Sequence, residues 1–168
     1  MLWLAGCAGV DYRLLSAASN GNTGAIKALL AQGARVNARD EYGQTALYHA
    51  AWKGQTGAVD VLLAAGADPN IKNKAGGTVL MGAAWTGGVE MAQALIAKAA
   101  DVNATNSTGG TALMIAAMQG HTRVAQILLE AGADVRAKNE QGRTALVLAV
   151  KARHREIAEL LVRAGARE

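Results

Sequence analysis

No phenylalanine occurs anywhere in the 168 residues, and proline and cysteine occur once each, as Pro69 and Cys7. A lone cysteine excludes an internal disulfide framework and a cysteine-rich zinc site. A chain nearly free of proline can run its helices without interruption. Long apolar runs are missing as well: the best stretch, residues 1–10, falls short of the roughly 20 apolar residues that span a bilayer. Charge is sparse, at 18% of residues, and the net of +4 is confined to one end. Residues 1–135 hold nine basic and nine acidic side chains and residues 136–168 hold eight and four, so the excess reads as a solvated terminus. What is abundant is apolar and small. Half the chain (51%) is apolar, and 38 residues are alanine, the best helix former, which excludes wholesale disorder and predicts an all-α fold. The length predicts one domain.

Twenty glycines would weaken such helices unless they are regularly placed. They are. A shift of 33 residues brings Gly43, Gly76, Gly109 and Gly142 into register, with Thr45, Thr78, Thr111 and Thr144 two residues on and Leu47, Leu80, Leu113 and Leu146 two further. Pairs of small residues follow (Ala50-Ala51, Ala83-Ala84, Ala116-Ala117, Ala149-Val150), then Gly21, Gly54, Gly87 and Gly120, then Leu29, Leu62, Leu95, Leu128 and Leu161. A gapless period of this size means stacked units that share one elongated core. Within a unit, the Thr is placed to cap a short helix; Leu47, Ala50 and Ala51 then fall on one face. Gly54 stops that helix. A second helix through Val59, Leu62 and Leu63 ends at Gly66, and polar, turn-forming residues such as Asp68-Pro69-Asn70 and Asn73-Lys74-Ala75-Gly76 predict a hairpin-like loop to the next unit.

Residues 43–54, Gly-Gln-Thr-Ala-Leu-Tyr-His-Ala-Ala-Trp-Lys-Gly, and 62–70, Leu-Leu-Ala-Ala-Gly-Ala-Asp-Pro-Asn, resemble the ankyrin repeat over nearly the whole chain. We frame an ankyrin-type solenoid over 10–168, with units 10–39, 40–72, 73–105, 106–138 and 139–168, and a non-repeat lead-in over 1–9. Departures from the family pattern have consequences. Ala46, Val79, Ala112 and Ala145 stand where the family opens its helix with Pro. Tyr48, Met81, Met114 and Val147 stand where it has a His, so the loop hydrogen bond that the resemblance assigns to that His is expected to be absent. Ala99 replaces Gly at a left-handed position. Together with Gly77, Gly82, Gly87 and Gly88, it makes 73–105 the internal unit expected to exchange its amide protons fastest, with 106–138 the comparison.

The resemblance implies a concave surface lined by the first helices, with loops projecting as fingers beside it. On that surface fall His49, Trp52 and Lys53, then Gly82, Trp85 and Thr86, then Ile115, Met118 and Gln119, then Leu148, Lys151 and Ala152. Stacked helices lie about 8–10 Å apart, so Trp52, Trp85 and Met118 are expected to form one stripe, and exposed aromatics of this kind are enriched as binding hot spots. The expected partner-binding set is Tyr42 at a finger tip, His49, Trp52, Lys53, Trp85, Met118 and Gln119. The bland alternative for the two indoles is core filling. His121 and His154 stand at the family's Gly-His position, where the imidazole bonds loop backbone. His49 has no carboxylate or second His at a suggestive sequence distance, which leaves only convergence of residues distant in the chain. No nucleophile elbow, phosphate-cradling loop or zinc-protease helix is present, so neither catalysis, nor a cofactor, nor a metal is expected. Lys151, Arg153, His154 and Arg155 read as a wet helix end rather than a nucleic-acid patch, since no aromatic platform accompanies them. Asn103-Ala-Thr and Asn106-Ser-Thr are formal glycan acceptors.

Leu4-Ala5-Gly6-Cys7 resembles the lipobox of bacterial lipoproteins, in which the cysteine is acylated, although only six residues precede Cys7 and a signal needs a basic region and about 7–15 apolar residues. By that analogy Ala8 would fit outer-membrane sorting. The sequence thus predicts a monomeric, non-catalytic module that binds a protein partner through its groove and fingers, with membrane contact only through lipidation at Cys7. The alternative is a lipid-anchored envelope protein protecting a periplasmic partner. Periplasmic or outer-membrane placement is the expectation, a cytoplasmic one the alternative.

Overall fold

The computed structural model describes residues 2–167, with side chains from residue 9 onward. Ten helices form among the described residues: α1 (Leu2–Ser19), α2 (Thr23–Ala31), α3 (Ala46–Trp52), α4 (Thr56–Ala64), α5 (Val79–Thr86), α6 (Val89–Ala97), α7 (Ala112–Gln119), α8 (Thr122–Glu130), α9 (Ala145–Lys151) and α10 (Arg155–Arg163). They pair as antiparallel hairpins. The odd-numbered helices stack in one row and the even-numbered in a second, each touching its own partner and the equivalent helices of adjacent pairs.

Local chemistry sets the starts of α3, α5, α7 and α9. The side chains of Thr45, Thr78, Thr111 and Thr144, all buried, accept the backbone N–H of Tyr48, Met81, Met114 and Val147. Each satisfies one of the orphan donors at a helix N-terminus. α1 begins otherwise. It has no such threonine, and it runs as one helix through residue 9, where the lead-in was framed to end.

Packing follows the period. Leu47, Leu80 and Leu113 on the first helices and Leu62, Leu95, Leu128 and Leu161 on the second are at most 1% exposed. Each contributes about 1.5–3 kcal/mol of burial. Alanines 50, 51, 83, 84, 116 and 117 are wholly buried between successive odd helices, where a larger side chain would hold the rows apart.

The loops are tight turns, and they stack as well. In the first finger Gly43 N–H reaches Asp40 O and Asp40 N–H reaches Gln44 O; Asn73, Asn106 and Asn139 close the next three in the same way. One backbone bond ties each finger to its neighbour: Lys74 N to Tyr42 O, Ser107 N to Ala75 O, Glu140 N to Thr108 O. A second ladder runs along the opposite side of the loops, where Asn37, Asn70 and Asn103 accept the N–H of Asp68, Asp101 and Asp134 from the following unit. That ladder stops at Arg136, the next residue in register, which has no acceptor to offer. In the first unit buried Asp11 plays the accepting part, taking Arg35 N–H on one oxygen and the Arg35 guanidinium, at 2.7 Å and 2.9 Å, on the other.

Ala99 adopts φ 59, as its place in the glycine register predicts. Arg153 adopts φ 62, which the sequence reading did not single out although residue 153 follows Gly120 by 33. A left-handed non-glycine residue costs about 1–2 kcal/mol, and the extra unfolded-state freedom of glycine returns part of that. Ala99→Gly and Arg153→Gly are each expected to stabilise the chain by about 0.5–1 kcal/mol, read as a higher denaturant midpoint at unchanged slope. A lower midpoint in either variant would contradict the strain assigned here.

Candidate functional site

The exposed ends of α3, α5, α7 and α9 place Trp52, Trp85, Met118 and Lys151 in one row, because the 33-residue period puts the same helical position at the same place in each unit. Trp52 and Trp85 do come together, with ring centroids 6.0 Å apart, but they are not equivalent. Trp85 is 45% exposed and Met118 42%, whereas Trp52 is half-buried against the core and stacked on Tyr48 at 5.6 Å. The cause is Gly82. A Cβ there would lie 2.8 Å from the Trp52 ring, so the missing side chain is the space that the indole occupies. Trp85 finds no such space, since Ile115 stands at the corresponding position of α7. The fit leaves Trp52 Nε1 buried without a hydrogen-bond partner, a cost of about 1–3 kcal/mol borne by the surrounding contacts.

Lys53 is exposed and Gln119 half-exposed at the groove edge, and Tyr42 stands 61% exposed on the first finger. Ile115 and Leu148, both half-buried, extend the apolar floor, as their register with His49 predicts, although neither was in the expected partner-binding set.

His49 is a correction. It has a carboxylate partner: its Nε2 lies 2.9 Å from Asp40 Oδ2 across the base of the first finger. Two departures from the repeat, Asp40 among Asn73, Asn106 and Asn139, and His49 among Gly82, Ile115 and Leu148, occur in one unit, and that coincidence was legible in the sequence. Burial pushes the Asp40 carboxyl up, but the N–H of Gln44, the His49 ring and the N–H of Tyr42 together hold it below its ordinary value of 3.8.

The missing loop bond at position 48 is a second correction. Asn73 Nδ2 donates to the Tyr48 hydroxyl at 2.9 Å, so the phenol bridges α3 to the next finger. Burial first, and then the charge of Asp40, raise its phenol above 10.0.

Asp40→Asn isolates the charge, because the equivalent asparagines already close the other fingers. A carboxylate with a lowered folded pKa stabilises above its unfolded value and loses that contribution as pH falls through the folded one. Wild type is therefore expected to be more stable than Asp40→Asn at neutral pH, with the gap closing below pH 3.8. The Tyr48 phenol should ionise at lower pH in the variant. A gap independent of pH, measured by denaturation between pH 7 and pH 3, would refute the assignment.

His121 and His154 bond backbone, at the end of a helix rather than in a loop as expected. Their Nε2 atoms donate to the carbonyls of Trp85 and Met118, both at 3.1 Å, tying each unit to the end of the preceding first helix. Arg155 pairs with Glu159 along α10. Asn103 and Asn106 are occupied by structural hydrogen bonds in their loops. Cys7, the residue of the lipidation expectation, has its side chain outside the described residues.

Paired helices in two stacked rows, fingers laddered by backbone bonds and the 33-residue register together constrain the family strongly, and the family model for ankyrin repeats (3 copies) matches residues 7–73 and 74–167. The chain belongs to the ankyrin-repeat family. Ankyrin repeats generally serve as protein–protein interaction modules, and ankyrin-repeat proteins are typically non-catalytic. Among curated proteins no match is found.

Proposed function

We propose that this ankyrin chain is a non-catalytic module that binds a protein partner on the floor formed by Trp85 and Met118, with Ile115 and Leu148 beneath and the fingers alongside. The observation that supports it is the pair of large apolar side chains, each more than 40% exposed, on neighbouring helices. Aromatic and methionine side chains are enriched at interface centres, where desolvation makes each a hot spot of about 2 kcal/mol or more. Trp52 acts here mainly as a support for Trp85. Lys53, Gln119 and Tyr42 supply the polar rim, and His49 holds the first finger in place through Asp40.

The test is capture of partners by the wild-type chain and by Trp85→Ala/Met118→Ala, followed by affinity measurement on the partner recovered. Affinity is expected to fall by about 30-fold or more, corresponding to 2 kcal/mol, with an unchanged helical circular-dichroism spectrum. The same partners at the same affinity would end this reading.

A further inference from the structure

At the α1 end of the groove lies a cleft of about 320 Å³ between α1 and the first finger. Its wall on α1 carries Tyr12 and Ser16, with buried Leu15 as floor. Opposite stand Asp40, Glu41 and Tyr42, and His49 closes the side toward the Trp stripe. Tyr12 is 74% exposed and Tyr42 61%, the two most exposed large side chains of apolar body among the described residues.

The charge of the cleft opposes that of the chain. Two carboxylates line it and no lysine or arginine does, on a molecule whose formal net charge is +4. Two arginines of the adjoining pocket are committed elsewhere: Arg35 to Asp11, and Arg39 to the carbonyls of Gly43 and Lys72. Asp40 spends its oxygens on backbone N–H groups and His49 and supplies charge; Glu41 is exposed at the finger tip. Aromatic faces, hydroxyl acceptors and an exposed carboxylate around one concave site suit a planar cation that stacks and donates in several directions at once. Guanidinium does both, and ammonium stacks less well.

We propose that this cleft receives an arginine side chain of the protein partner, stacked against Tyr12 and Tyr42 and paired with Glu41. The inference rests on the groove reading above and deepens it. The cleft straddles the first and second units, about one and a half units from Trp85, or about 12–15 Å at the usual helix spacing. The partner segment therefore carries its arginine about 4–5 residues from its apolar anchor if extended, or about 8–10 if helical.

The test titrates the full chain with N-acetylarginine amide and, separately, with the uncharged isostere N-acetylcitrulline amide, following backbone amide shifts. Saturable shifts centred on residues 12, 41, 42 and 49 are expected with the arginine probe. Binding should weaken about fivefold or more with the citrulline probe, and likewise in Glu41→Gln and in Tyr42→Ala, since each removes about 1 kcal/mol of cation contact. Val162→Ser, on α10 at the other end of the stack, should leave arginine binding unchanged. Equal binding of the two probes, or shifts centred elsewhere, or an unaffected Glu41→Gln, would overturn the proposal. The spectra themselves report whether each variant is folded. Failure here with partner affinity still dependent on Trp85 removes only the arginine subsite. Arginine binding with partner affinity indifferent to Trp85 removes only the groove reading.

Discussion

Trp52→Ala is expected to lower stability by about 2–4 kcal/mol, while Trp85→Ala, one unit along the same row, changes it by less than about 1 kcal/mol. The two residues share a sequence position and differ in what lies opposite. Trp52 fills the space over Gly82 and is held between Tyr48 and Trp85. Truncation there opens a void between two units and removes two aromatic contacts. Trp85 is nearly half exposed, and much of its ring meets solvent. In a chain of this size each kcal/mol moves the melting temperature by about 2–4 °C, so Trp52→Ala should melt about 5–15 °C lower and Trp85→Ala within a few degrees of wild type. Trp52→Phe sharpens the comparison. It keeps the ring stack and removes the unpartnered Nε1, so it should lose far less than the alanine variant. Gly82→Leu should release the indole into solvent, read as a red-shifted tryptophan emission. If Trp85→Ala proved the more destabilising of the pair, the separation of support from binding surface would fail.

The second large effect is at Gly76. Its φ of +73 already disfavours any side chain, and a Cβ would lie 2.9 Å from both the Asn106 Cα and the Ser107 nitrogen in the next finger. Backbone cannot rotate away as a side chain can. Gly76→Ala must push the fingers apart and weaken the Ser107 N–H bond to Ala75. About 3 kcal/mol of destabilisation is expected, the sum of left-handed strain and one displaced interface hydrogen bond. Gly66 is the control. It too has positive φ (+84), but nothing lies within 4 Å of its added Cβ, so Gly66→Ala should cost only about 1 kcal/mol, in keeping with native Ala99 at the equivalent place. Equal losses in the two variants, measured by denaturant unfolding, would show that finger contact adds nothing to the strain.

The register was legible from sequence because it is a one-dimensional property. Four threonines, four leucines and the glycines recur at 33, and each has one local role that the neighbouring units repeat, so caps, helix faces and stops follow from spacing alone. The left-handed Ala99 follows from the same register, and Arg153, 33 residues after Gly120, stands in it as well. The backbone roles of His121 and His154 came from the family resemblance. The errors fell where two side chains from different elements meet. Asp40 and His49 lie nine residues apart and touch only because the finger folds back over α3. Tyr48 and Asn73 meet across two units. The first pair left a trace in the sequence as two departures from the repeat in one unit; the second left none.

The amino-acid order by itself thus determined the stacked helical hairpins and the row on which Trp52, Trp85 and Met118 stand, because periodic burial and capping are decided within a unit and its copy. Which of two identically placed tryptophans faces solvent was decided only in three dimensions. That outcome depends on whether the residue opposite is Gly82 or Ile115, and a void between helices exists only once the helices are packed.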